Sequence, residues 1–129
     1  MRQRLSDVVT AHRGDVVKSM GDGWLVEFAS VVDAVNCALQ VQDDLAGHEI
    51  IKLRIGIHIG DIVHEDEDIY GDGVNIAARL QEIAALGGIA LSDTARRFLD
   101  VKLAGSFRDA GEKQLKNIAE AVRVFVSGD

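Results

Sequence analysis

Apolar residues recur along this chain with two spacings, one typical of strands and one typical of helices. Residues 50–63 alternate apolar positions with polar or glycine positions, a pattern that predicts one long strand. Residues 1–12, 30–45 and 72–86 instead carry apolar side chains at helical spacing, which predicts amphipathic helices. Shorter patterns predict a brief helix at 92–99 and strands at 15–20, 24–28, 89–91, 101–108, 112–115 and 122–126.

The order of these elements predicts an α+β fold. After the first helix they run β-β-α-β-α-β-α and end in a β-rich tail, which indicates a ferredoxin-like βαββαβ sandwich with extra C-terminal strands. Nothing in the pattern corresponds to the leading strand and helix of that unit. The fold is therefore expected to lack its first strand and part of its first helix. A length of 129 residues predicts one domain spanning residues 1–129.

Composition and charge narrow the class of partner. The net charge of −7 leaves no basic stripe to neutralise phosphates, so nucleic acid is not expected as a partner. No apolar run approaches the roughly 18 residues of a membrane span, and the N-terminus does not resemble a signal peptide. A cytoplasmic domain without membrane contact is therefore expected. The single cysteine, Cys37, fits a reducing compartment and is expected to be a small buried hydrophobe.

The predicted helix at 72–86 carries an unusual polar pair. Asp72 can cap its first turn, while Asn75 and Arg79 are four residues apart and leave from the same face. A guanidinium offers a planar fork of donors and an amide offers both a donor and an acceptor, which suits the binding of a phosphate ester. The same spacing is also typical of a solvated polar stripe on an amphipathic helix, and both interpretations remain open.

Candidate metal ligands are few. Asp22 lies at the tip of a predicted hairpin, where Asp-Gly is typical of a tight turn, although its carboxylate also suits a hard divalent cation. One carboxylate is not a metal site, so that hypothesis requires a second ligand elsewhere. The acidic run 64–68 does not match the spacing of a calcium-binding loop and indicates a solvated bend. His58 and His64 lack partners at zinc-ligand spacing and are assigned to packing or surface roles.

Four segments in this order resemble one family. They are VKSMGDG at 17–23, LRIGIHIGD at 53–61, DIYGDGVNIAARL at 68–80 and LKNI at 115–118. Together they are similar to the catalytic domain of class III nucleotidyl cyclases, and most of all to its bacterial adenylate cyclase branch. The resemblance extends from about residue 10 to the C-terminus, and four ordered motifs are far more specific than any one of them.

The resemblance implies roles for residues in the first and third motifs. Asp22 matches an aspartate that binds the paired Mg²⁺ or Mn²⁺ ions of the family. Lys18 and Asp68 match the pair that reads the adenine edge, which favours ATP over GTP. Asn75 matches the residue that orients the ribose, and Arg79 matches the one that stabilises charge on the phosphates in the transition state.

The resemblance also implies a further phosphate contact and an assembly. Lys116 matches a lysine that contacts the phosphates. In the family the site is shared by two chains, so a head-to-tail homodimer is expected to bring Asp22 of one subunit opposite Lys18, Asp68, Asn75 and Arg79 of the other. The expected reaction is the conversion of ATP to cyclic AMP and pyrophosphate.

One family motif has no counterpart here. Nothing before residue 13 matches the family's first strand, which carries the other metal-binding aspartate. The domain is therefore predicted to be N-terminally incomplete, with turnover abolished or severely weakened. Two alternatives follow: an inactive cyclase-like module that binds nucleotide and dimerises, and an α+β interaction domain that binds no nucleotide.

Overall fold

The computed structural model describes residues 2–20, 23–47, 52–60, 63–65, 68–70 and 72–127, with the backbone alone for 2–4, 18–20, 63–65, 68–70 and 72. The helices of the described residues are α1 (Arg2–Ala11), α2 (Val31–Leu45), α3 (Asp72–Ile83), α4 (Asp93–Arg96) and α5 (Val101–Ala104). The strands are β1 (Gly14–Met20), β2 (Gly23–Phe28), β3 (Ile55–Ile57), β4 (Val63–Glu65), β5 (Asp68–Tyr70), β6 (Ile89–Ser92), β7 (Arg108–Lys113) and β8 (Val122–Ser127). The predicted mixture of helices and strands is confirmed. Among these residues, no helix is both long enough and apolar enough to cross a membrane.

The largest sheet has the order β3-β6-β8-β7. Strand β3 is parallel to β6, whereas β8 is antiparallel to both β6 and β7. Strands β1 and β2 form a separate antiparallel hairpin, and β4 pairs with β5 in a third small sheet. Helix α2 contacts both β2 and β3, so it links the hairpin to the four-stranded sheet.

Helices cover both faces of the four-stranded sheet. On β6, Leu91 belongs to a cluster with Val35 of α2, whereas the preceding residue, Ala90, belongs to a cluster with Leu80 of α3. Adjacent strand residues point to opposite faces, so α2 lies on one face and α3 on the other. A third cluster joins α1 to α2 and includes Cys37, which is buried as predicted.

Helix starts agree with the capping residues in the sequence. The Ser30 hydroxyl accepts from the backbone N–H of Asp33 at 3.1 Å, which confirms the predicted start of α2. Ser92 caps α4 in the same way, accepting from the backbone N–H of Ala95 at 3.2 Å. The predicted cap by Asp72 involves a side chain that lies outside the described residues.

Two predictions of strands were wrong. The described part of 50–63 contains the short strand β3 and the first residue of β4 instead of one long strand, and β4 pairs with β5 across the predicted acidic bend. Residues 101–104 form helix α5 because the Asp100 carboxylate accepts from the Leu103 backbone N–H at 2.8 Å. That cap outweighs the strand-like pattern of 101–108, and the next strand is β7.

Candidate active site

Glycine sets the distance between helix α3 and the sheet. A Cβ atom added to Gly56 of β3 would lie 2.9 Å from the Gln81 Cα, and still closer to the Gln81 amide nitrogen and the Ala77 carbonyl oxygen. Real Cβ atoms do not approach backbone so closely. Gly56 therefore lets α3 lie directly on β3, and this contact sets the distance between the helix and the sheet.

A second pair of glycines meets at the start of α3. A Cβ atom on Gly60 would lie 3.2 Å from the Cα of Gly73, and one on Gly73 would lie 3.3 Å from the Cα of Gly60. Gly73 is buried in the first turn of α3. The segment leaving β3 and the N-terminus of α3 are therefore in close backbone contact.

The helix presents Asn75 and Arg79 as predicted, one turn apart on a continuous α-helix. Asn75 is exposed and Arg79 is half-buried. Arg79 Nη1 donates to Glu82 Oε1 at 2.8 Å, an ion pair between residues three apart. Sequence reasoning missed Glu82, although its spacing from Arg79 is one at which helix side chains meet.

The strands that carry Lys18 and Asp68 lie next to each other. Strand β1, which contains Lys18, contacts β5, which contains Asp68, and β5 contacts α3. The side chains of Lys18 and Asp68 lie outside the described part of the structure, as does the whole of Asp22. The structure therefore brings together the segments that bear Lys18, Asp68, Asn75 and Arg79, and it does not describe the proposed metal ligand.

Lys116 is exposed in the turn that follows β7. The turn is anchored on both sides of the lysine, because Leu115 and Ile118 belong to the cluster that contains Leu80 of α3. The next residue, Asn117, has a φ of 63°, a left-handed conformation that Asn tolerates better than most residues. Lys116 is thus held on a turn that packs against the same helix as Asn75 and Arg79.

His58 occupies a position that sequence reasoning assigned only to packing or surface. It follows β3 and is half-buried, and its Nδ1 lies 2.5 Å from the hydroxyl of the buried Ser92. Burial lowers the pKa of His58 below its ordinary value of 6.5. Since the Ser92 hydroxyl already accepts from Ala95, it has a proton to donate to Nδ1, which favours neutral imidazole with its proton on Nε2.

The sequence did contain a signal for this position. His58 alternates with Gly56 and Gly60, so all three are on the side of the strand that α3 covers. The imidazole Nε2 lies 3.5 Å from the point that a Cβ on Gly60 would occupy. His58 therefore lies beneath the backbone contact between Gly60 and the start of α3.

The described residues do not assemble a metal site. No group of three or more His, Cys, Asp or Glu side chains among them is placed to hold a metal ion. Asp22, the one metal ligand implied by the motifs, lies outside these residues. The part of the site that the structure describes offers hydrogen-bond donors, with an amide and a guanidinium on α3 and a lysine on the neighbouring turn.

This fold and these motifs correspond to a known family. The profile of the Adenylate and Guanylate cyclase catalytic domain matches residues 1–128. The chain therefore belongs to this family of nucleotidyl cyclase catalytic domains, as the four motifs predicted.

Individual relatives agree with that assignment. A protein named Putative adenylate cyclase 3, from Rhizobium meliloti, is 40% identical over 131 residues, which covers 96% of this chain and 22% of that protein. The adenylate cyclase of Streptomyces coelicolor is 35% identical over 91 residues, which covers 70% of this chain and 24% of that protein. The chain thus matches less than a quarter of either relative's length.

A solved structure confirms the cyclase-type fold. The crystal structure of an adenylate/guanylate cyclase/hydrolase from Silicibacter pomeroyi is 38% identical and superposes with a TM-score of 0.90. The match covers 99% of this chain and 80% of that one. Sequence and fold therefore give the same family.

Proposed function

We propose that residues 1–129 act as one adenylate cyclase catalytic domain, which converts ATP to cyclic AMP and pyrophosphate, with weak turnover because the motifs supply one metal-binding aspartate instead of two. The observation that carries this proposal is the adjacency of β1, β5 and α3, the three elements that bear Lys18, Asp68, Asn75 and Arg79. Membership of the cyclase family and relatives named adenylate cyclase support it. The cytoplasm, where ATP is abundant, remains the location expected from the sequence.

Each residue has a role in holding ATP for the reaction. Lys18 donates to the adenine edge and Asp68 accepts from its exocyclic amine, while Asn75 orients the ribose. Arg79 and Lys116 donate to phosphate oxygens, where negative charge increases as the reaction proceeds. The ribose 3′-hydroxyl loses its proton to solvent, its oxygen bonds to the α-phosphorus, the bond from that phosphorus to the α–β bridging oxygen breaks, and pyrophosphate leaves.

The proposed reaction also requires Mg²⁺ or Mn²⁺. The metal supplies positive charge that lowers the pKa of the ribose 3′-hydroxyl, and Asp22 is the residue of this chain that we propose to hold it. We further propose a head-to-tail homodimer in which Asp22 of one subunit faces the nucleotide-binding residues of the other.

The direct test is the formation of cyclic AMP from ATP and Mn²⁺ by the purified chain. Arg79→Ala is expected to lower kcat about 100-fold or more, because it removes a donor aimed at the developing charge. Arg97→Ala is the matched control, since Arg97 is an exposed arginine of the α4 segment that pairs with Asp93 at 2.7 Å. Equal activity of the parent and Arg79→Ala would refute the assigned role.

One observation favours a second candidate, a cyclase-like module that binds nucleotide without turnover. In the described residues, the β1–β2 hairpin is not hydrogen-bonded to the four-stranded sheet, so the Lys18 strand is not held in register with β3. ATP binding without cyclic AMP in the same assay would select this module. An ATP analogue that fails to shift the melting temperature at millimolar concentration would instead favour an interaction domain.

A further inference from the structure

The guanidinium of Arg79 is engaged by a carboxylate of its own helix. Its Nη1 donates to Glu82, three residues towards the C-terminus of α3, whereas Asn75 lies four residues towards the N-terminus. At a rise of about 1.5 Å per residue, Glu82 lies about 4.5 Å from Arg79 towards the C-terminus, and Asn75 lies about 6 Å from it in the opposite direction along the helix axis. The contact with Glu82 therefore holds Nη1 on the C-terminal side of Arg79, the side opposite to Asn75 in the sequence.

The ion pair is accessible and therefore exchangeable. The side chain of Arg79 is 27% exposed and that of Glu82 is 55% exposed. Pairs that reach solvent contribute little to stability, because water and salt compete with both partners. A nucleoside triphosphate carries several negative charges and is a stronger partner for a guanidinium than one solvated carboxylate.

The negative charge of Glu82 also disfavours the binding of a second anion at Arg79. Its carboxylate lies 2.8 Å from the guanidinium nitrogen that would meet the phosphates, so it cancels much of the local positive charge. Any phosphate that approaches Arg79 must displace this carboxylate or lie next to it.

We propose that Glu82 is a positioning residue that holds Arg79 in a resting conformation and competes with nucleotide phosphates for it. Binding of ATP exchanges the Glu82 carboxylate for a phosphate and turns Arg79 back towards Asn75. This inference rests on the proposed function, because it takes the phosphates of ATP as the competing anion.

The test uses Glu82→Gln, which keeps the size of the side chain and removes its charge. In the purified chain, the Kd for a non-hydrolysable ATP analogue, measured by calorimetry, and the KM for ATP with Mn²⁺ are both expected to fall about threefold, within the range measured for exposed ion pairs. The value of kcat is expected to stay within about twofold, because the exchange precedes the reaction. Glu112→Gln on β7, an exposed glutamate, removes the same charge elsewhere and should leave both constants unchanged.

A double mutant separates a direct effect from a general one. In an Arg79→Ala background, Glu82→Gln should no longer change the Kd, because the competing guanidinium is absent. An unchanged or higher Kd in Glu82→Gln, or a change in Kd that persists in the Arg79→Ala background, would overturn the inference. If the parent chain still forms cyclic AMP, the proposed function would be unaffected by that result. A parent chain that neither binds the analogue nor forms cyclic AMP would overturn both.

Discussion

At the scale of single residues, burial shifts the pKa values of two side chains in opposite directions. The Cys37 thiol is buried, and desolvation raises its pKa to about 11, so it stays protonated and packs as a hydrophobe. His58 shows the opposite shift, because burial disfavours the charged imidazolium and lowers its pKa. Both effects come from neighbours that are distant along the chain, so the sequence predicted a buried Cys37 and a packing or surface role for His58 but neither pKa shift.

The lowered pKa of His58 predicts a pH dependence of stability. The unfolded chain binds a proton near pH 6.5 and the folded chain only at lower pH, so stability falls as pH drops from 7.5 through 6.5. Urea denaturation should show this fall, with a slope of up to about 1.4 kcal/mol per pH unit. His58→Asn keeps an acceptor for the Ser92 hydroxyl without titrating, and it should flatten the slope.

The carboxylates do not obscure that measurement. Asp33 has a pKa below its ordinary value of 3.8 because Arg13 donates to it, and Asp109 likewise because Arg123 donates to it. The contributions of these two carboxylates to stability are therefore lost only at pH values near and below 3.8, well below the range in which His58 titrates. An identical slope in the parent and in His58→Asn would show that the imidazole does not cause the pH dependence.

At the scale of elements, the sequence predicted the positions of most helices, but it did not predict where several strands begin and end. Ser30 and Ser92 cap α2 and α4 as predicted, because a cap is a local interaction within one turn. The long strand predicted at 50–63 was wrong in extent, since a strand's length depends on which partner it pairs with. Among the described residues, β3 pairs with β6 alone, over Ile55–Ile57.

The contact between α3 and β3 predicts that one methyl group added at Gly56 has a large effect on the free energy of unfolding. Gly56→Ala should lower the free energy of unfolding by about 1–3 kcal/mol, because the new Cβ overlaps the helix backbone at Ala77 and Gln81. Gly47→Ala is the matched control, since a Cβ there meets nothing within 4 Å, and its effect should stay within about 0.5 kcal/mol. Denaturant titration of both variants measures the difference.

The same substitution also probes the site. Gly56→Ala moves α3 away from β3, so Asn75 and Arg79 should be displaced together and cyclic AMP formation should fall more steeply than stability alone requires. A folded Gly56→Ala variant with parental stability and activity would contradict the assigned close contact.

At the scale of the whole molecule, helix α2 packs against two sheets that are not hydrogen-bonded to each other in the described part of the chain. Helix α2 packs on both β2 and β3, and Gln42 on this helix donates to the carbonyl oxygens of Leu53 and Gly88 at 3.0 and 2.8 Å. These bonds hold the segments that enter β3 and β6 against α2. The position of the Lys18 strand relative to α3 therefore depends on packing around α2 as well as on the contact with β5.

The proposed head-to-tail dimer predicts complementation between two inactive variants. Asp22→Ala and Arg79→Ala should each be nearly inactive alone. After equal mixing and random exchange of subunits, half of the dimers contain one of each, and each of these has one intact site. About a quarter of parental cyclic AMP formation should therefore return.

The control for this experiment replaces Arg79→Ala with the double variant Asp22→Ala, Arg79→Ala. No intact site can form in that mixture, so activity should remain at the level of the single variants. Sites contained within one subunit would leave the first mixture as inactive as its components, and the shared-site proposal would then be wrong.

The amino-acid sequence by itself determined the family, the α+β class and the helical spacing of Asn75 and Arg79, because ordered motifs, capping residues and apolar periodicity are local properties. Only the tertiary structure brought β1, β5 and α3 side by side, paired Arg79 with Glu82 and placed His58 against Ser92. Those relations join segments that are distant along the chain or depend on the choice between alternative side-chain partners. The metal-binding role of Asp22 remains a prediction made from the sequence.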